Sequence, residues 1–277
     1  MADGKLVFID LDGTLVNKAQ QVPESARIAC QRMIENGHRL FICSGRSMPE
    51  IYPWLWDLGF EGIVSGAGGM LQVGDIVVQD HRIEGAVIEK ITQLWKELGA
   101  LWIWQGPDAM YPSPSFLESF VAQAGESVND WAQYARTVEP FLRPGLPAST
   151  TKCTVYIPAG RTSVDELRLK LPEQMQVISG SIPAGQTLVV EVYPREISKG
   201  RGIATIAAYL GYDLADTVAI GDSTNDIEAL EVAGIGIAMG SHDPAVLAVA
   251  DMVAPGIDED GFATACEMAG LIPTSIA

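Results

Sequence analysis

Leu6-Val7-Phe8-Ile9-Asp10-Leu11-Asp12-Gly13-Thr14 is the stretch from which the fold is read. Four apolar residues break abruptly into two acids, a glycine and a hydroxyl. Such a run reads as a strand buried on both faces that ends in a polar loop. Downstream, Ala26, Ala29, Cys30, Met33 and Ile34 recur at helical spacing, with Pro23 before them and Gly37 after. Proline near the start and glycine past the end are the punctuation of an amphipathic helix. A second apolar run, Leu40-Phe41-Ile42-Cys43, stops at Ser44. Strand, helix and strand with short joins form a βαβ unit, which predicts a parallel sheet.

The C-terminal third repeats this grammar. Ile203, Ile206, Ala207 and Leu210 form a helical stripe closed by Gly211, and Val218-Ala219-Ile220 runs into Gly221-Asp222. A helical pattern through Ile227, Leu230 and Ala233 then leads to a further strand at 235–239. The two ends of the chain read as halves of one α/β domain, a Rossmann-like doubly wound parallel sheet over residues 1–82 and 193–277. The middle differs. Val87, Ile88, Ile91, Leu94, Trp95 and Leu98 make a helical stripe ended by Gly99, and Ser163-x-x-Glu166 is a capping box. With strand-like runs at 101–104, 153–157, 176–179 and 187–192, residues 83–192 are expected to form an inserted α+β module.

Of the 277 residues, 48% are hydrophobic and 19% charged, which suits a packed core and excludes wholesale disorder. Eighteen Lys plus Arg against thirty-five Asp plus Glu leave a net charge of −17. That balance argues against a nucleic-acid partner or an anionic membrane surface, since both require a concentrated positive face. An anionic ligand must then be attracted locally, by a few cations or a metal. No apolar run reaches the length of a membrane span, and Asp10 and Asp12 interrupt any signal-peptide core. Cys30, Cys43, Cys153 and Cys266 are too scattered for a disulfide framework or a zinc knuckle, so the cytoplasm is the expected compartment. His38, His81 and His242 are isolated, and core or surface roles are expected for them. Gly66-Ala67-Gly68-Gly69 lacks the Lys-Ser/Thr of a phosphate-binding loop and marks a turn. Trp102 and Trp104 share one strand face and are read as packing residues.

Four polar clusters fall where strands meet helices: Asp10-x-Asp12-x-Thr14, Ser44-Gly45-Arg46, Lys199, and Gly221-Asp222-x-x-Asn225-Asp226. All belong to the carboxyl edge of the expected sheet, where open α/β folds bind their ligands. In this order, the clusters closely resemble the haloacid dehalogenase (HAD) superfamily of phosphohydrolases, in particular its Cof-type (IIB) branch. Asp10-Leu11-Asp12-Gly13-Thr14-Leu15 resembles the first motif of that family and Ser44-Gly45-Arg46 the second. Lys199 in Ile197-Ser198-Lys199-Gly200 resembles the third, and Gly221-Asp222-Ser223-Thr224-Asn225-Asp226 the fourth. Ala238-Met239-Gly240 and Asp258-Glu259-Asp260-Gly261 are similar to this branch too, and the insert stands where such enzymes carry a type-2 cap. The resemblance implies a magnesium-dependent phosphatase of a small phosphorylated metabolite, a sugar phosphate or similar. It also implies that Mg²⁺ is held by Asp10, the backbone carbonyl of Asp12, and Asp222.

The residue types suit that chemistry. A carboxylate such as Asp10 can attack phosphorus and form an aspartyl-phosphate, and Asp12 can protonate the leaving oxygen and later deprotonate water. Read alone, Asp12-Gly13 is an ordinary turn dipeptide and Asp226 an ordinary acid near a helix N-terminus. Ser47-x-x-Glu50 forms a capping box of its own, which leaves Ser44 and the Gly45 amide to hold phosphate oxygens. Lys199 stands in the first turn of its helix, the unfavourable end for a cation unless an anion meets it there. Arg46 can fork onto phosphate or onto a nearby carboxylate. Asn225 and Asp226 are expected to orient ligand, water or Lys199, with Thr14 among the phosphate-binding residues. Four acids cannot receive a phosphate dianion with one lysine alone, which is why a metal is expected. The enzymatic alternative is a phosphotransferase or mutase acting on sugar phosphates. Outside enzymes, the alternatives are a phosphoacceptor module and a non-catalytic binding protein. A module inserted between the second and third motifs is expected to cap the sheet edge above Asp10 and to set specificity.

Overall fold

A computed structural model of the chain describes residues 4–116, 131–179, 187–241 and 243–274. His242 lies outside the described residues. The chain divides into two compact units. One comprises Met1–Gly45, Tyr52–Asp80 and Ser198–Ala277, and the other Arg46–Ile51 and His81–Ile197.

Along the chain, the first unit begins with β1 (Leu6–Ile9), β2 (Arg39–Cys43), β3 (Phe60–Ser65), β4 (Met70–Val73) and β5 (Ile76–Asp80). The second unit holds β6 (Ile83–Glu84), β7 (Leu101–Gln105), β8 (Met110–Pro112), β9 (Ser149–Thr150), β10 (Lys152–Pro158), β11 (Met175–Ser179) and β12 (Thr187–Pro194). The first unit resumes with β13 (Thr217–Gly221), β14 (Ile235–Met239) and β15 (Met252–Ala254).

The sheet of the first unit has the order β15-β14-β13-β1-β2-β3-β4-β5. From β15 to β3 every pairing is parallel, with Phe8 opposite both Ala219 and Phe41. All four residues of β1 are buried because helices cover both faces. On one face, Leu6, Phe8 and Phe41 pack with Ile203, Ile206 and Ala207 of the helix Lys199–Leu210 and with Leu230 of Ile227–Val232. The alternate residues Val7, Ile9, Leu40 and Ile42 are equally buried, and the helices Glu24–Glu35 and Gly261–Met268 meet through Met33 and Cys266, 3.7 Å apart at sulfur. This is the doubly wound α/β core that the apolar runs predict. One feature is added to it: the Gly66–Gly69 turn reverses the chain into β4, so the far edge of the sheet is antiparallel.

The second unit is α+β. Its antiparallel sheet runs β11-β12-β10-β7-β8, covered on one face by the helices Gly85–Leu98 and Val164–Lys170. Trp95, Trp102 and Trp104 are packing residues of that layer, and Trp104 Nε1 donates to Thr92 Oγ1 at 3.0 Å. The Ser163 capping box forms as read, with Glu166 N–H donating to Ser163 Oγ and Ser163 N–H to Glu166 Oε2. The opposite face is apolar at one end, where Ile103, Tyr156 and Val189 pack with Val138 of the helix Trp131–Val138. It is polar at the other end, where Lys152 Nζ meets Glu191 Oε2 at 2.8 Å and Thr154 donates to Gln105.

Two histidines have structural partners. The Lys5 N–H donates to His38 Nδ1, so Nε2 carries the proton toward the Leu271 carbonyl, and His81 pairs with Glu196. Among the described residues no helix is long and apolar enough to cross a membrane.

Candidate active site

Parallel pairing in register sets the tips of β13, β1 and β2 side by side, with Ile220 next to Ile9 and Ile9 next to Ile42. The residues that follow those tips are Asp222, Asp10 and Ser44. The ladder continues one step past β1, since the Asp10 N–H donates to the Ile220 carbonyl at 3.0 Å. The chain then turns tightly on the Leu11 carbonyl, which accepts the N–H groups of Thr14, Leu15 and Val16. Gly13 takes a positive φ of 88°, and a side chain there would collide with the Asp222 carboxylate, so both demands select glycine.

Lys199 opens its helix, capped by Ser198, whose Oγ accepts from the Arg201 N–H. Its ammonium is 1% exposed and donates to Asp226 Oδ1 at 2.6 Å, Asp10 Oδ1 at 2.7 Å and Asn225 Oδ1 at 3.1 Å. Three donors meet three acceptors, which is the full capacity of an ammonium group. Asp226 works on two sides. Its second oxygen accepts the Asp222 and Ser223 N–H groups at 3.2 and 3.1 Å and closes the turn after β13. Gly221 allows this approach, because a side chain there would overlap the Asp226 carboxylate. Asp222 is oriented by Thr14, whose hydroxyl donates to Oδ1 at 3.2 Å.

Asp10, Asp222 and Asp226 each present a carboxylate oxygen within 4.8 Å of the others. Three carboxylates and the Lys199 ammonium leave the group with a formal charge of −2. Burial raises the Asp10 pKa well above the usual carboxylate range; Lys199 opposes the rise while Asp226 and Asp222 add to it. Burial likewise lifts Asp222 to about 6, helped by Asp226 and resisted by Lys199 and Thr14. Burial would lower the Lys199 pKa, but Asp10 and Asp226 outweigh it and keep the ammonium charged. A cation beside the three carboxylates relieves the repulsion. An all-oxygen donor set suits a hard ion such as magnesium or calcium, so the residues present fit the expected metal.

The structure brings Asp10, Thr14, Lys199, Asp222, Asn225 and Asp226 into one hydrogen-bonded group. Asp12 is exposed on the turn that follows Asp10. Ser44 is buried at the tip of β2, its N–H donating to the Val64 carbonyl and its carbonyl accepting from Ala67, and Gly45 follows it. Arg46 belongs to the second unit, where it donates to the Glu50 carbonyl at 3.1 Å. Cys43 escaped the sequence reading. It ends an apolar run and carries no motif signal, yet its thiol is close enough to Lys199, Asp226 and Asp10 to feel their charges. Burial keeps that thiol protonated.

The family model of the haloacid dehalogenase-like hydrolases matches residues 7–265. YkrA of Bacillus subtilis is 27% identical over 98% of this chain and 99% of its own. The 5-amino-6-(5-phospho-D-ribitylamino)uracil phosphatase YwtE of the same organism is 26% identical, covering 94% of this chain and 96% of its own. Among solved structures, the HAD subclass IIB sugar phosphatase BT4131 superposes with a TM-score of 0.78 at 23% identity, over 97% of this chain and all (100%) of the other.

Removing one partner of a buried charge cluster costs about 3–5 kcal/mol, because the remaining charges stay desolvated. Lys199→Met is therefore expected to lower the urea-unfolding free energy of the metal-free protein by about that amount near pH 7. The loss should shrink toward pH 5, where Asp10 and Asp222, with their raised pKa values, take up protons. Urea melts at the two pH values check this, and a loss that does not change with pH contradicts it.

Proposed function

This chain belongs to the haloacid dehalogenase-like hydrolase family, and from that membership we propose that it is a Mg²⁺-dependent phosphatase of a small phosphorylated metabolite, a sugar phosphate or similar. The observation that carries the reading is the Asp10–Lys199–Asp226 group, with Asp222 adjoining it at the sheet edge. Asp10 is the nucleophile in this reading. Lys199 holds its Oδ1, which leaves the other oxygen to attack phosphorus. A bond forms from that oxygen to phosphorus as the bond to the substrate's leaving oxygen breaks. Asp12 gives that oxygen a proton, then takes one from the water that attacks phosphorus and returns Asp10 to a carboxylate.

Asp10, the Asp12 carbonyl and Asp222 are the groups we assign to Mg²⁺. Asp226 is instead engaged by Lys199 and two N–H groups. When bound, the ion supplies the positive charge that lets a dianion approach these carboxylates. Ser44 and the Gly45 amide hold phosphate oxygens, and Arg46 is a forked donor for the substrate anion. Thr14 and Asn225 act one step back from phosphate, through Asp222 and Lys199. The names of relatives such as YwtE and BT4131 support a small phosphorylated substrate. Residues 83–192 are assigned to specificity.

Hydrolysis of p-nitrophenyl phosphate should require a divalent cation and cease in excess EDTA. Asp10→Asn should abolish turnover and keep the fold, as read by circular dichroism, since a carboxamide cannot replace the nucleophile. Full turnover in EDTA, or near-normal turnover of the variant, contradicts the assignment.

Asp12→Asn should act selectively. An alkoxide needs a proton to leave and a nitrophenolate barely does. Single-turnover phosphorylation should fall far more with a sugar phosphate than with p-nitrophenyl phosphate, and equal losses would remove Asp12 from the acid's role. Exchange of residues 83–192 for the insert of a relative should change the ranking of substrates and keep metal-dependent turnover. An unchanged ranking would return specificity to the core.

A further inference from the structure

Six residues, Arg46–Ile51, fold with the second unit although the stretch that follows them, Tyr52–Asp80, folds with the first. Their only regular structure is a single 3₁₀ turn, Met48–Glu50, too short to fix a side chain by itself. What ties the segment down is Glu50, whose carboxylate is 6% exposed. Its Oε2 accepts the Ser47 N–H at 2.8 Å, the Ser47 hydroxyl at 2.7 Å and Gln105 Nε2 at 2.9 Å. Its Oε1 accepts the Tyr134 hydroxyl at 2.8 Å. Gln105 is itself oriented by Thr154, which donates to its Oε1 at 2.7 Å. A capping box asks the Glu50 carboxylate to accept only the Ser47 N–H. The partners at Gln105 and Tyr134 are beyond it, and they come from two separate elements of the insert. Burying a carboxylate is costly unless its oxygens are filled, and these four donors fill them. The same residue receives Arg46 through its backbone, as Arg46 Nη1 donates to the Glu50 carbonyl at 3.1 Å.

We propose that Glu50 is a positioning residue that anchors the Arg46–Ile51 segment to the insert and thereby sets the direction of the Arg46 guanidinium. The proposal rests on the reading of Arg46 as a donor to the substrate anion. It makes Arg46 a specificity residue carried by the insert, although it is adjacent in sequence to the Ser44-Gly45 phosphate pair of the core. Burial and then the Glu50 carboxylate raise the Tyr134 pKa well above the ordinary phenol value, so its hydroxyl stays a donor to Glu50.

The test compares Glu50→Ala with Glu50→Gln. Alanine removes every side-chain bond. Glutamine can keep its oxygen toward Ser47 and Gln105 and turn its amide to the Tyr134 oxygen, so it should rescue. Hydrogen exchange should speed up at the amides of residues 46–51 in Glu50→Ala, while the β10 and β12 amides stay protected. KM for p-nitrophenyl phosphate should rise about tenfold with kcat within about threefold, and Glu50→Gln should stay within about twofold of the parent. In an Arg46→Ala background, Glu50→Ala should add almost nothing, because both changes remove the same interaction. Tyr134→Phe, which deletes one bond and keeps the ring, should shift KM the same way by less. Unchanged exchange at 46–51, loss of protection throughout the insert, or KM effects that add to those of Arg46→Ala would each overturn the proposal. If the parent protein hydrolyses no phosphate monoester, the reading of Arg46 fails. The exchange data then still decide whether Glu50 anchors the segment.

Discussion

One ammonium group among carboxylates organises the first unit. Lys199 is almost wholly buried at the start of a helix, where the backbone dipole disfavours a cation. It is stable there only because Asp10 and Asp226 flank it at 2.7 and 2.6 Å. The dependence runs both ways, since two buried carboxylates with no cation between them would repel and take up protons. Each of the three residues holds a different piece of backbone: the tip of β1, the start of the Lys199 helix and the turn after β13. The charge cluster thus ties three loops to one another, the preorganised arrangement that our proposed phosphatase reading calls for.

Topology makes such a cluster possible from residues 189 positions apart in the chain. A parallel sheet with crossover helices delivers every strand tip to the same edge. Neighbouring tips stand about 4.8 Å apart, close enough for a side chain from one to bond a side chain from the next. The glycines at 13 and 221 remove the last obstruction, because a Cβ at either position would occupy the space of Asp222 or Asp226.

The core was legible in the sequence because its strands are buried on both faces and therefore appear as unbroken apolar runs. β4 and β5 lacked that mark. Ile76 and Val77 are 56% and 53% exposed, and a strand open to solvent mixes polar and apolar residues without a sharp edge. Asp10, Lys199 and Asp222 could be read because each breaks a hydrophobic pattern or stands where its charge is disfavoured, whereas Asp226 was marked only by the resemblance of its motif. Thr14 and Asn225 were named as site residues too, but which neighbour each one bonds was left open, since a hydroxyl or an amide looks the same in sequence whether it faces a ligand or a side chain. Ser47-x-x-Glu50 was read as a capping box and is one. The larger role of Glu50 depends on Gln105 and Tyr134, 55 and 84 positions away, a pairing no local pattern announces.

Two aspartates two positions apart end in opposite surroundings, and the reason is the strand end between them. Asp10 continues the ladder, its N–H bonded to Ile220, so its side chain is held within the sheet edge beside Lys199. One residue later the chain leaves the sheet and turns on the Leu11 carbonyl, which carries Asp12 out to an exposed position. A nucleophile benefits from a fixed direction and from the loss of hydration that would otherwise blunt it. An acid–base group must exchange its proton with water between half-reactions, which exposure permits and burial hinders. The division of labour we propose for Asp10 and Asp12 therefore matches where β1 stops. Lengthening the strand by two residues would place both carboxylates in the ladder and leave neither suited to the proton.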